Sequence, residues 1–197
     1  MQLDDNGARG LQISDFTLQI FALTIRVSVA DQFILPATVF GTMLVETLRA
    51  SANERAQRAR GGIEPSGDVY KLMRVVYPGA FLAMFAEGAL RGTPSSTAVL
   101  AGAGVFIAAK LLKWWAILSL GRFWTFRVII IPGARLVARG PYRWVRHPNY
   151  AGVMGELAGV ALMTGALVSG VAGIVTFGWL VIRRMSLEDR ALQEAAP

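Results

Sequence analysis

Four apolar stretches, separated by polar and mostly basic connections, set the rhythm of the 197-residue chain. Residues 33–48, "FILPATVFGTMLVETL", are near the lower length limit for a membrane span. A polar loop, "RASANERAQRARGGIEPSGD", separates them from residues 69–90, where Pro78 predicts a kink. The turn "RGTPSS" leads to residues 97–120, and a long basic loop then precedes the last apolar stretch, residues 150–182. Those final 33 residues would measure roughly 50 Å as one helix, against a hydrocarbon core of about 30 Å. A hairpin of two helices turning within "TGALVSG", residues 164–170, fits better. Upstream, residues 11–30 are interrupted by Asp15 and Arg26, and "LTIRVSV" alternates like a strand. A lone strand cannot cross lipid, so this segment is expected to be an interfacial or extra membrane helix.

The reading is therefore an all-α integral membrane protein with about five transmembrane helices, the last two a hairpin. Residues 1–32 form an N-terminal segment, 33–120 three membrane helices, and 121–197 a region for the chemistry. Composition agrees: 54% of residues are hydrophobic and 17% charged, against about 25% charged in a soluble domain. The net charge of +7 reflects loops rather than a nucleic-acid surface. Six basic residues fall between Arg49 and Arg74, and six arginines with no acid between Arg122 and Arg146, whereas the intervening turn has only Arg91. Both rich loops are expected on the cytoplasmic side. A hairpin returns Arg183 and Arg184 to that side. Cysteine is absent, which excludes disulfide and thiolate chemistry. The start "MQLDDNGARG" lacks the basic character of a secretion signal.

The most constrained polar segment is "GPYRWVRHPNYAGVMGE", residues 140–156, which holds the chain's single histidine. Gly140-Pro141 and His147-Pro148-Asn149 are turn signals. Pro148 excludes His147 from helical geometry and suits the first position of a new helix. That helix N-terminus, beside His147 and Tyr150, offers free N–H groups to a carboxylate. The bland reading is that the arginines only orient the chain and His147 is a loop residue. Glu156 falls inside a membrane helix, where an ionisable group faces a polar cavity or bonds a neighbouring helix. Lys110 and Lys113 are expected to snorkel to the cytoplasmic side, and Trp114, Trp115 and Trp124 to form an interfacial belt or line a substrate groove. In "RRMSLEDRAL", Arg184 and Glu188 share a helix face, with Asp189 next to them.

These residues resemble the isoprenylcysteine carboxyl methyltransferase family of integral-membrane enzymes. The likeness runs from "LLKWWAILSLGRFWTFRV" through "PGARLVARGPYRWVRHPNYAGVMGE" to "RRMSLEDRAL", about the last 90 residues, with Met185 standing where the family has Ile. "NERAQRARGGIEPSGDVYKLM" resembles a bacterial branch that sits beside type III polyketide synthases and O-methylates alkylpyrones or phenolic lipids. The resemblance implies S-adenosylmethionine as cofactor, held between the Arg-His-Pro loop and the C-terminal tail rather than in a Rossmann fold. It implies contacts from Arg146, His147, Pro148, Tyr150, Arg184 and Glu188, with Gly140, Pro141 and Tyr142 shaping the pocket. Family members continue past the acidic pair with aromatic and basic residues, whereas this sequence ends at Pro197, so part of the usual lid is expected to be missing or supplied from elsewhere.

The chemistry expected is an in-line methyl transfer in a water-poor site, governed by positioning. A carboxylate acceptor needs no base; a phenol or enol does, and His147 and Glu156 are the candidates, with Arg146 beside them. No metal is expected. The acceptor is expected to be lipophilic and to reach the site sideways from the bilayer between the third and fourth helices, near Trp115, Gly152, Gly155 and Glu156. Isoprenylcysteine or a phospholipid amine remain alternative acceptors, and a non-enzymatic scaffold or transporter subunit is the reading that cofactor binding excludes.

Overall fold

The computed structural model describes residues 33–92, 94–133 and 137–194. Five helices run through them: α1 (Phe33–Arg58), α2 (Tyr70–Arg91), α3 (Ser96–Leu120), α4 (Pro148–Thr164) and α5 (Leu167–Glu194). The only β pairing among the described residues is an antiparallel bridge between Ile63 and Ile130. This is the expected all-α integral membrane fold. The expected helix in residues 11–30 lies outside the described residues. The chain divides into two compact units within α1, between Val45 and Glu46. In the first, Thr38 and Thr42 return their hydroxyl protons to Ile34 O and Thr38 O, each at 2.8 Å, so the apolar helix leaves neither hydroxyl unbonded. The second unit carries the polar end of α1 together with α2 to α5.

Among the described residues, three helices are long and apolar enough to cross a membrane: Phe33–Arg58, the α3 segment Ser96–Phe123, and Leu167–Glu194. Helix α4 has 17 residues, about 26 Å of rise, slightly less than the hydrocarbon thickness. Its partner α5 lies antiparallel across a two-residue turn, which is the predicted hairpin. Gly165 ends α4 with φ +66°; its N–H reaches Leu162 O, and the N–H of Ala166 reaches Ala161 O at 3.1 Å. This left-handed glycine motif satisfies the last carbonyls of α4. The break occupies Gly165 and Ala166 only. Gly170, expected in the turn, is already helical and sits against Ala161.

Glycine governs the tightest helix pair. A Cβ on Gly102 would lie 2.7 Å from Gly159 O, one on Gly155 2.7 Å from Ala109 Cβ, and one on Gly152 2.8 Å from Lys113 Cβ. The two backbones of α3 and α4 approach because these positions carry no side chain, the usual solution where lipid offers no hydrophobic drive for helix association. Tyr77, Phe81 and Met84 of α2, Leu157 and Val160 of α4, and Phe177 and Leu180 of α5 make up the apolar interior. Tyr77 meets Phe81 edge-on at 4.9 Å and lies tilted against Phe177 at 4.8 Å. Leu100, Leu111, Val168, Val175 and Ile182 face outward and exposed, as lipid-facing positions do.

Two elements run further than their apolar windows. Helix α1 continues through "RASANERAQR", where the polar composition suggests a loop. Ala, Glu, Arg and Gln favour helix. Asn53 donates to Gly121 O (3.0 Å) and Trp124 O (2.8 Å), and Gln57 to Arg122 O (3.1 Å), so the polar extension ties down the chain leaving α3. Helix α5 likewise carries straight from the hairpin turn into the tail. Pro78 does not end α2, which runs on to Arg91.

Candidate functional site

The basic loops meet. Ile63 and Ile130 exchange backbone hydrogen bonds of 2.8 and 2.9 Å. Arg127 Nη1 donates to Glu64 Oε1 at 2.7 Å, and Arg58 Nη2 lies 2.5 Å from Glu64 Oε2. Burial works against the Glu64 carboxylate, yet the hydrogen bonds from Arg58 and Arg127 outweigh it and hold its pKa below the usual value. The same bond to Glu64 raises the Arg127 pKa further. Arg139 Nε donates to Ser119 O at 2.7 Å, so this arginine serves a free carbonyl at the end of α3. The arginines read as orienting charges therefore also build the loop layer.

Beneath that layer lies a cavity of about 840 Å³. The end of α3, the following loop, the start of α4 and the tail of α5 form its walls. Its lining combines apolar Leu120, Phe123, Ile129, Ile130, Ile131 and Leu192 with polar Tyr142, Arg146, His147, Tyr150, Glu188 and Asp189. A shallower depression of about 650 Å³ adjoins it and shares Leu120, Phe123, Val137 and Ala138.

Local sequence explains the placement of each polar group. Gly140 adopts φ +58°, and a Cβ there would lie 1.9 Å from Ser119 Oγ and 2.8 Å from Ser119 Cβ, so only glycine lets the 3₁₀ turn Gly140–Arg143 seat against α3. Pro141 is buried in that turn and Tyr142 reaches the cavity. Burial, then the neighbouring Glu188 carboxylate, push the Tyr142 hydroxyl pKa up, so it stays a proton donor. Pro148 opens α4 as predicted, and His147 precedes it in non-helical geometry (φ −126°, ψ 57°). No side chain caps this N-terminus, and Asn149 of its first turn lines the cavity.

His147 Nε2 lies 3.1 Å from Asp189 Oδ1, and Nδ1 lies 3.9 Å from Glu188 Oε2. The Tyr150 hydroxyl donates to Glu188 Oε2 at 3.2 Å and accepts from Arg184 Nε at 2.7 Å. Arg184 is nearly inaccessible. Its Nη1 pairs with Asp68 Oδ1 at 3.1 Å and its Nη2 donates to Phe126 O. Asp68 Oδ2 in turn accepts from the Val128 N–H at 3.2 Å. Arg184 thus clamps α4, α5 and both loops, and its guanidinium donors are committed to protein. The structure brings Arg146, His147, Tyr142, Tyr150, Arg184 and Glu188 to one cavity. Sequence reasoning missed Asp68, which carries no motif. It noted Asp189 without a role; its position next to Glu188 on a helix facing the histidine was the available signal.

Glu156 is elsewhere. Tyr77 donates to its Oε2 at 2.5 Å, Lys113 Nζ lies 3.3 Å from the same oxygen, and Lys110 Nζ lies 3.2 Å from Oε1 without hydrogen-bond alignment. Glu46 of α1 binds the same two lysines, at 2.7 Å to Lys113 and 3.3 Å to Lys110. Two expectations are corrected here. Lys113 does not snorkel, since it is buried among carboxylates. Glu156 is not on the cavity wall, because its charge is compensated inside the helix packing. The expected groove at Gly152 and Gly155 is corrected too, as those glycines are filled by α3. The Trp115 ring lies 5.9 Å from that of exposed Trp144, inclined to it by 60°, and does not line the cavity.

Comparison with known proteins bears on this arrangement directly. Residues 102–194, which carry the cavity's α3, α4 and α5 walls, match the profile of the isoprenylcysteine carboxyl methyltransferase (ICMT) family. An uncharacterized protein of Bacillus subtilis, YpbQ, is 32% identical over 162 residues, covering 82% of this chain and 96% of its own. The chain belongs to the ICMT family. An uncharacterized protein of Haemophilus influenzae is 23% identical over 146 residues, covering 74% of this chain and 85% of its own. No solved structure matches. Membership in the ICMT family makes this a membrane methyltransferase, with its polar cavity at the end of membrane helices.

Proposed function

We propose that this ICMT-family protein is an S-adenosylmethionine-dependent O-methyltransferase acting on a lipophilic acceptor at the cytoplasmic face, through five membrane-crossing helices. The observation that carries the reading is the cavity where the α4 N-terminus, His147 and the acidic tail of α5 converge among apolar side chains. Its size lies within the range of about 300–1,000 Å³ common to small-molecule sites.

The donor set suits the cofactor. Arg146 and the uncapped start of α4 offer positive charge and N–H groups to a carboxylate. Glu188 offers a carboxylate to an ammonium or to sugar hydroxyls, Tyr142 and Tyr150 offer hydroxyls, and Phe123 and Trp124 offer aromatic surface to a base. His147 sits where these groups meet. When bound, the cofactor supplies an electrophilic methyl group on a sulfonium. The chain's part is to hold that group, keep water out with Ile129–Ile131, and orient the acceptor oxygen. Because α3 and α4 close at Gly152 and Gly155, the acceptor's tail is better accommodated by the apolar rim of Leu120, Phe123, Val137 and Ala138. The cytoplasmic orientation rests on the joining of both arginine-rich loops on one side.

The test is incubation of purified protein and radiolabelled S-adenosylmethionine with membrane lipid extracts, followed by identification of the labelled product. Label in a lipid ether or ester supports the reading. Absence of both transfer and S-adenosylhomocysteine binding by calorimetry defeats it.

A further inference from the structure

We infer that the outer side of the loop ahead of α4 is a headgroup site for an anionic phospholipid, formed by Arg139, Arg143 and Trp144 together with Trp115 of α3. It is a binding surface separate from the cavity and independent of the reaction proposed above.

The loop faces two ways. Tyr142, Arg146 and His147 line the cavity, whereas Arg143, Trp144 and Val145 are exposed and do not. Trp144 is 70% accessible and Val145 52%. These apolar side chains extend a lipid-facing row on α3, where Leu111, Trp115 and Leu118 are exposed at a spacing of i, i+4 and i+7. The Trp115 and Trp144 rings lie 5.9 Å apart. A Cβ added to Gly140 would stand 3.2 Å from Trp115 Nε1, so the turn that leads into Trp144 packs directly on that indole. Both indoles therefore sit at the end of a membrane helix, the depth that tryptophan favours.

The polar groups at this place only donate. Residues 139–146, "RGPYRWVR", hold three arginines and no acid. Arg139 uses its Nε on Ser119 O at 2.7 Å. No carboxylate among the described residues pairs with Arg139 or Arg143, and the acids of the α5 tail are engaged on the cavity side, Glu188 with Tyr150 and Asp189 with His147. Guanidinium and indole N–H groups have no acceptor capacity, and a phosphate supplies the acceptors they lack. The aromatic face is taken as well, since the Arg143 guanidinium lies over the Trp144 ring at 5.6 Å, where the ammonium of a choline would otherwise stack. A zwitterionic headgroup would bring its cation against these arginines with no carboxylate to receive it. An anionic headgroup brings the phosphate alone, with its acyl chains along Leu111 and Leu118.

The test uses the full chain in phosphatidylcholine nanodiscs that carry a fixed minor fraction of either phosphatidylglycerol or phosphatidylcholine brominated in its acyl chains. Bromine quenches tryptophans near it, and the chain has five. Brominated phosphatidylglycerol should quench more than brominated phosphatidylcholine, and the paired change Trp115→Phe and Trp144→Phe should remove the excess. Arg143→Gln should weaken the preference for phosphatidylglycerol about fivefold, the scale of one arginine at an anionic surface. Arg60→Gln, at an exposed arginine of the first basic loop, should leave the preference as it is. Thermal transitions in detergent check that each variant is folded. Equal quenching by the two brominated lipids, an excess that survives the paired tryptophan change, or a preference that Arg143→Gln leaves intact or Arg60→Gln lowers as much, overturns the inference.

Discussion

At the residue scale, the cavity depends on a few side chains whose roles can be separated. Glu188→Ala removes the partner of Tyr150 and a carboxylate of the cavity's polar lining, and His147→Ala removes the group at its centre. Calorimetry should show S-adenosylhomocysteine affinity falling about tenfold or more in each, about 1.4 kcal/mol; full affinity in both would place the cofactor elsewhere. Gly140→Ala tests the backbone instead. The left-handed conformation alone costs about 1–2 kcal/mol for an L-residue, and the Ser119 contact adds to it, so the thermal transition should drop. Glu64 sets an acid limit. Its pKa is depressed in the folded protein, so its contribution is present above the unfolded carboxylate value and is lost as pH falls through the folded one. Hydrogen exchange at Ile63 and Ile130 should therefore accelerate below about pH 4, and Glu64→Gln should abolish that change.

At the scale of elements, α3 and α4 behave as one body. Gly152→Leu or Gly155→Leu should separate them and lower thermal stability in detergent, rather than selectively impair acceptor use, because the new side chain meets Lys113 or Ala109 within 3 Å. Lys113→Met leaves two buried carboxylates with one remaining lysine, and should cost about 3–5 kcal/mol. Adding Glu46→Gln should recover a large part of that loss. The helices themselves were legible from apolar length, and the hairpin from a stretch too long for one span. Pro148 and the Gly140-Pro141 pair announced the turns around the site. What the sequence hid was pairing across distance. Nothing near Glu156 says that Glu46, 110 residues earlier, shares its lysines, and composition alone made Lys113 look like a snorkelling group. The polar end of α1 read as loop because its purpose, binding the carbonyls after α3, lies about 70 residues downstream.

At the scale of the whole molecule, the proposed reaction joins a water-facing cavity to an apolar rim, so activity should rise with acceptor chain length until the rim is filled. Each buried methylene is worth about 0.8 kcal/mol. Equal efficiency on short, water-soluble phenols would refute a lipid acceptor. Labelling single cysteines placed in the Ile63 and Trp144 loops should find both on the cytoplasmic side. The quartet of Glu46, Lys110, Lys113 and Glu156 has one more consequence. Two ammonium groups and two carboxylates sum to no net charge. A lone buried charge would feel the membrane potential, at about 2.3 kcal/mol per 100 mV for a full crossing. A balanced quartet feels almost none of it, so the helix assembly keeps the same stability whether the cell's membrane is energised or collapsed.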